Sequence, residues 1–295
     1  MVNISIMSEE SNAYKSGGRI SAGGAPPVVK YLVIANVLVF LVQELLAAYF
    51  SISIVEWFAL FNFRSDKFQI YQLITHMFLH ADIIHIFFNM FILWMFGSAL
   101  ETVWSRKRFL YYYFFTGVGA ALLHLLISSF SLGQLEKRVE EYMQNPGLQN
   151  FQNFVYDEIG DLSSDNDRQQ PFLRGINRLI LSWQKEPGNS YYDEASKKVV
   201  SEYYQTMVDR PSIGASGAVF GILLAFGLLF PNVHIYIYFL FPLKAKYFVV
   251  ILGFIELYLG LTDQFSNVAN FAHLGGMLFG IILLKIWGIK SFKIE

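Results

Sequence analysis

Cysteine is missing from the chain. Disulfides, thiol nucleophiles and thiolate metal sites are therefore excluded, and any catalysis must use oxygen and imidazole groups. The lack of cysteine does not indicate a compartment. Charge is also scarce. Only 15% of residues are charged, against about a quarter in ordinary globular proteins. With a net charge of -1 the chain lacks the excess of Lys and Arg that nucleic-acid binding needs. No fixed-period repeat, block of like charge or HExxH metal motif is present.

Apolar residues are abundant instead, 54% hydrophobic and 17% aromatic, which is a membrane-protein composition. A crossing helix needs about 20 mostly apolar residues to span roughly 30 Å of hydrocarbon. Six segments qualify: 30 to 50, 83 to 103, 109 to 130, 213 to 230, 247 to 262 and 268 to 287. The stretch HIYIYFLFPLKAK, 234 to 246, alternates and meets Pro242 and two lysines. It is expected to connect spans at the membrane surface rather than cross.

The expected organisation is an all-α polytopic bundle. It comprises a disordered tail (1–27), three spans with an interfacial first loop (28–132), an insertion (133–210), three further spans (211–288) and a short tail (289–295). The first tail contains SGGRISAGGAPP and lacks both a signal-peptide core and an Arg-rich mitochondrial presequence. Arg106, Lys107 and Arg108, then Lys244 and Lys246, then Lys285, Lys290 and Lys293 fall on one side of a six-span bundle. By the positive-inside bias that side, with both termini, is cytoplasmic. The first outer loop, 51 to 82, mixes aromatics with Arg64, Asp66 and Lys67, as in a segment lying in the interface. Residues 131 to 211 carry thirteen acidic and nine basic residues. Their amphipathic stretches LEKRVEEYMQ, INRLILSWQK and EASKKVVSEYYQTMV predict short helices on the outer face.

Within the spans, four polar residues reach a similar depth from the outer side: Ser216, His273, His85 and Asn89. Ser216 is expected about three residues into its span, and His85 and Asn89 share a helix face. Polar groups in a bilayer are costly and normally face a bundle interior or a wet cavity. A serine is a weak nucleophile until a base takes its proton, and His273 is the best-placed base. The Asn89 amide, the His85 ring and the Ser216 backbone N–H could stabilise an oxyanion. Gly214 and Gly217 would let chain and substrate approach the serine. Gly276 and Gly280 form a small-xxx-small pair that would draw the last helix against the fourth.

Each element taken alone has a plainer reading. GASG suits helix packing, a single buried His is commonly a structural donor, and His85 with Asn89 could be an interhelical pair. Co-occurrence at one depth favours chemistry. His76, His80 and His85, with Asp82 nearby, are a weak zinc set, and no metal or cofactor is expected. Glu256 is an intramembrane carboxylate without an assigned partner. It could orient His273 as a third member, although structural pairing or a place in a hydrated cavity is the commoner fate. His124 and Glu101 read as packing or topology residues, and Phe87, Phe88 and Trp94 as span filler.

These residues resemble the rhomboid intramembrane serine proteases. THMFLHADIIHIFFNMFILWMFGSALE matches the family's loop-to-second-helix pattern at His80, His85 and Asn89. GASG matches its GxSG motif at Ser216, and NFAHLGGMLFG matches its last-helix motif at His273, followed by Gly276 and Gly280. The resemblance covers about 28 to 132 and 211 to 288. It implies a six-helix rhomboid-like bundle of bacterial type in the plasma (inner) membrane. A Ser216–His273 dyad would sit in a water-filled cavity open to the outer face and cleave other proteins' transmembrane segments without metal or cofactor. It further implies that His85 and Asn89 line the oxyanion hole and that His80 organises loop and cavity. The chain departs from the family twice: Phe220 stands where many bacterial members have a tyrosine packing on the catalytic imidazole, and there is a large insertion between the third and fourth spans. An inactive membrane-protein binding or handling factor on the same fold is the alternative, although both Ser216 and His273 are present. A transporter would predict inverted repeats or paired broken helices, and neither is seen.

Overall fold

A computed structural model describes residues 26–160, 170–237, 241–262 and 267–289. The expected tails, 1–27 and 289–295, lie almost wholly outside them. In chain order the principal elements are α1 (Pro27–Phe50), α2 (Ile83–Val103), α3 (Arg106–Gln144), α4 (Leu148–Phe154), α5 (Gln170–Lys185), α6 (Tyr191–Val208), α7 (Ser216–Leu229), a hairpin of β1 (His234–Ile237) and β2 (Phe241–Lys244), α8 (Ala245–Thr262) and α9 (Asn267–Ile286). The chain divides into two compact units. One comprises residues 1–60, 70–124 and 212–295, and the other residues 61–69 and 125–211.

The first unit is a bundle of apolar helices, and the protein is a multi-pass membrane protein. Helices α1, α2, α3, α8 and α9 are long and apolar enough to cross a membrane. The sixth, α7, has only 14 residues, about 21 Å at 1.5 Å per residue, and so falls short of the hydrocarbon thickness. It tolerates this because protein surrounds it. Every residue from Gly217 to Gly227 except Phe220 is buried, so its ends need not meet lipid. Within 234 to 246, β1 and β2 pair antiparallel with His234 opposite Lys244, and α8 begins at Ala245.

Helix ends are settled by contacts the bundle supplies. Proline occupies the first turn of α1, where a missing N–H is harmless. The Glu101 carboxylate of α2 accepts hydrogen bonds from the Val28 and Val29 N–H groups at 3.0 and 2.8 Å, so Glu101 caps α1 from a neighbouring helix. Asp82 caps α2 by accepting from the His85 N–H at 2.8 Å. Close packing rests on small residues. A side chain at Gly276 would overlap the Gly217 carbonyl oxygen, and one at Gly221 would come 2.7 Å from Thr116 Cβ. Thus α9 and α3 both approach the α7 backbone directly.

In the second unit α3 continues past the expected end of the third span. Its 39 residues rise about 58 Å, nearly twice a hydrocarbon core. LEKRVEEYMQ is the end of this helix rather than a separate one, because no proline interrupts the chain before Asn145-Pro146-Gly147. The expected boundary at 132/133 therefore falls inside α3. On α5, Leu173, Ile176, Ile180 and Trp183 are buried at helical spacing. Ile176, Ile180 and Trp183 join Phe151, Phe154, Val200 and Tyr203 in a separate core. Asn62 donates to Ser128 and Ser129, and Arg64 pairs with Glu136 at 2.6 Å, fastening 61–69 to α3.

Candidate active site

Ser216 is the first residue of α7, one turn nearer the helix start than the sequence suggested. The preceding segment is held open by cross-chain pairing. Leu60 and Ser212 exchange backbone hydrogen bonds at 2.9 and 2.8 Å, and the Gly214 N–H donates to the His76 carbonyl at 2.9 Å. Gly214 has φ +123, a conformation that ends any helical path and favours glycine. A Cβ there would also lie 2.8 and 2.9 Å from His85 Cε1 and Nε2, so the position is closed to side chains on two counts. Placing Ser216 at a helix start leaves its own N–H without an intrahelical partner and near the positive end of the helix dipole.

His273 projects from the second turn of α9. Its Nε2 lies 2.9 Å from Ser216 Oγ, and Phe220, one turn along α7 from the serine, stacks on the ring with centroids 4.2 Å apart and planes 4° from parallel. On the other side of the ring, Nδ1 lies 2.9 Å from Glu256 Oε2 of α8. The His273 and Glu256 side chains are 20% and 12% exposed, so both are largely withdrawn from solvent.

Opposite the serine is the first turn of α2. His85 Nδ1 accepts from the Ala81 N–H at 3.3 Å, which puts the proton of a neutral ring on Nε2. Asn89 Nδ2 donates to the His85 carbonyl at 3.0 Å, and the amide keeps a second N–H. These groups line a cavity of about 390 Å³, with Asp82, His85, Asn89, Ser216 and His273 as its polar wall and Ile84, Phe88, Ile92, Val219 and Phe220 as its apolar wall. A hydroxyl, an imidazole and a set of N–H donors thus converge on one concave space.

Other expected residues stand back from it. His80 is fully buried. Its carbonyl accepts from Gln43 at 2.7 Å, and its ring packs edge-on to His85 at 5.1 Å. Burial, helped by nearby His85, pushes its imidazole down to about 4. His76 donates Nδ1–H to the Gln72 carbonyl at 2.7 Å, and burial likewise lowers it to about 4. Gly217 packs on Ala120, and Gly276 packs on the Gly217 backbone. Among the described residues no three His, Asp or Glu side chains gather as a metal set. Sequence reasoning gave Glu256 no definite partner. The available signal was a carboxylate inside a span, and only the packing of α8 on α9 brings it to His273.

A family model described as Rhomboid domain matches residues 67–133 and 191–289, more than half of the chain. The chain is 30% identical over 181 residues to Rhomboid protein 1, mitochondrial, of Saccharomyces cerevisiae, covering 55% of this chain and 51% of that protein. It is 24% identical over 254 residues to RHOMBOID-like protein 12, mitochondrial, of Arabidopsis thaliana, covering 84% and 55%. To Rhomboid-like protein 15 of Arabidopsis thaliana it is 37% identical over 66 residues, covering 22% and 16%. The chain thus spans about half the length, or less, of these curated relatives. The matched family segments contain the serine, both cavity-lining histidines, the asparagine and the carboxylate just described, and on that extent of match the chain belongs to the rhomboid family.

Proposed function

We propose that the protein is a serine endopeptidase of the membrane interior. The observation that carries this reading is the 2.9 Å approach of His273 Nε2 to Ser216 Oγ within the cavity that His85 and Asn89 also line. In the first half-reaction Ser216 Oγ attacks a scissile carbonyl carbon as its proton passes to His273 Nε2. The oxyanion is held by the Ser216 N–H, the His85 Nε2–H and the Asn89 amide. Collapse breaks the C–N bond, His273 returns the proton to the leaving amine, and an ester on Ser216 remains. In the second half-reaction water attacks the ester carbonyl carbon as its proton passes to His273 Nε2, collapse breaks the C–Oγ bond, His273 returns the proton to Oγ, and the acid product leaves. No step calls for a metal or cofactor.

Substrates on this reading are transmembrane segments of other proteins, with small and helix-weakening residues near the cut, because a continuous helix withholds its carbonyls from attack. The apolar wall of Ile84, Phe88, Ile92 and Val219 suits such chains. The Lys and Arg bias favours both termini on the cytoplasmic side of an inner membrane, and the insertion on the other. The names of two relatives specify mitochondria, making a mitochondrial membrane the competing compartment, which fractionation of the tagged protein decides. The activity is tested by cleavage of a transmembrane reporter in liposomes by the parent, Ser216→Ala and His273→Ala. Both variants should be inactive at unchanged melting temperature, and persistent cleavage in both would sink the dyad.

A further inference from the structure

A carboxylate in the middle of a bundle is unfavourable unless something there uses its charge. Glu256 is buried on α8, and its Oε2 lies 2.9 Å from Nδ1 of His273, whose Nε2 in turn lies 2.9 Å from Ser216 Oγ. Three side chains from α7, α8 and α9 therefore form one unbroken line. We propose that Glu256 is a positioning residue that converts the Ser216–His273 pair into a three-membered relay. The proposal rests on the peptidase reading above and adds a residue to it.

The chemistry follows from what each group can donate. An ionised carboxylate only accepts, so contact with Glu256 requires the ring proton of His273 to be on Nδ1. That choice leaves the Nε2 lone pair directed at the Ser216 hydroxyl, as a general base requires. The alternative tautomer would put two acceptors face to face at Nδ1 and a second hydrogen at Nε2. Once Ser216 transfers its proton, the imidazolium sits beside a negative charge in a low-dielectric setting, where the attraction is far stronger than in water. In this relay the proton travels between Oγ and Nε2 only.

Geometry divides the labour between two neighbours of the ring. Phe220 lies flat on the imidazole and restrains its tilt, but a phenyl face cannot choose between tautomers. Glu256 meets the ring edge and does choose. The helix carrying the acid also becomes part of the mechanism: a displacement of α8 that lengthened the 2.9 Å contact would unsettle the base without touching Ser216.

The test uses the full chain in liposomes, with reporter turnover, Ser216 labelling by a fluorophosphonate and thermal melting measured together. Glu256→Gln keeps shape but loses charge. It should lower kcat and the labelling rate by about 100-fold or more, by analogy with removing the charge of a triad acid, while KM and melting temperature hold. Glu256→Asp keeps the charge on a shorter arm and should fall between parent and Glu256→Gln. The inference is overturned if Glu256→Gln turns over within threefold of the parent while Ser216→Ala is inactive, or if Glu256→Gln equals or exceeds Glu256→Asp. A melting temperature that falls in step with activity in both variants would also overturn it, leaving a structural role. Cleavage surviving in Ser216→Ala, or a parent that neither cleaves nor labels, overturns the peptidase reading itself and the inference with it.

Discussion

Most glycines behave oppositely in the two units. In the bundle it marks where helices touch: side chains at Gly217, Gly221, Gly276 or Gly280 would run into Ala120, Thr116, the Gly217 backbone or Tyr112. In the second unit a Cβ at Gly147, Gly175 or Gly188 would meet nothing within 4 Å, and the core is built instead from large side chains such as Phe151, Phe154 and Trp183. The solvent explains the difference. Lipid gives apolar helices no reason to associate, so contact must come from close backbone approach. Helices that meet water can associate by burying aromatic surface. Exposure follows the same logic. In the bundle Leu38, Phe87 and Phe254 are 57, 60 and 68% exposed, whereas α5 turns its apolar stripe inward and its charges out.

The sharpest way to break the comparison is Gly276→Ala. The added methyl would overlap the Gly217 carbonyl, a backbone group that cannot rotate aside, one residue from Ser216. We expect a loss of about 3 kcal/mol or more, seen as loss of the folded bundle in thermal melts, with reporter cleavage and fluorophosphonate labelling lost together. Retention of a parental melt would mean that α9 and α7 stand further apart than described.

Acid should separate the units next. All six histidines belong to the bundle and none to residues 61–69 or 125–211. His76 and His80 are held near 4 in the fold by burial, against about 6.5 when unfolded. Their contribution is complete above pH 6.5. As pH falls toward 4 the unfolded chain binds protons that the fold refuses, so bundle stability drops by about 3 kcal/mol for each histidine. In the second unit burial tends to raise the Asp209 carboxyl, but hydrogen bonds from Ser65 and Gln205, with nearby Lys67, outweigh it and leave the group below its usual value. Its loss of stability therefore falls below about pH 3.8, after the bundle has weakened. Trp183 reports on the second unit, and Trp57, Trp94, Trp104 and Trp287 on the bundle. Single-tryptophan variants melted from pH 7 to 4 should show the bundle moving first, and a flat bundle melt across that range would refute the assignment.

The sequence discloses what composition and local pattern can encode. Six apolar segments stand out by hydropathy, and the polar residues placed within them, Ser216, His273, His85 and Asn89, all line the cavity. What stayed hidden depends on distant partners. The start of α7 at Ser216 is set by pairing with Leu60 and His76, more than a hundred residues away, and hydropathy cannot register it. The run of α3 to Gln144 was obscured because the pattern turns from apolar to charged without a breaker. Glu256 announced itself as anomalous, but its contact with His273 across 17 residues and a change of helix has no local signature. Glu101 likewise looked like a topology residue and proves to cap α1.

The smallest effect expected is the mirror image of the first. Gly175 lies inside α5 and is exposed between the buried Leu173 and Ile176, so a methyl there faces open space. Alanine is favoured over glycine in a helix interior by about 1 kcal/mol, because glycine loses more backbone freedom on folding. Gly175→Ala should therefore raise the melting temperature of the second unit by a few degrees, as about 1 kcal/mol does for a domain near this size, while labelling of Ser216 stays at the parental rate. The same chemical change would then destabilise one unit and stabilise the other. If Gly175→Ala instead lowered the melt, the exposed face of α5 would have to be covered in the working protein, and the second unit would share the bundle's use of glycine as a contact.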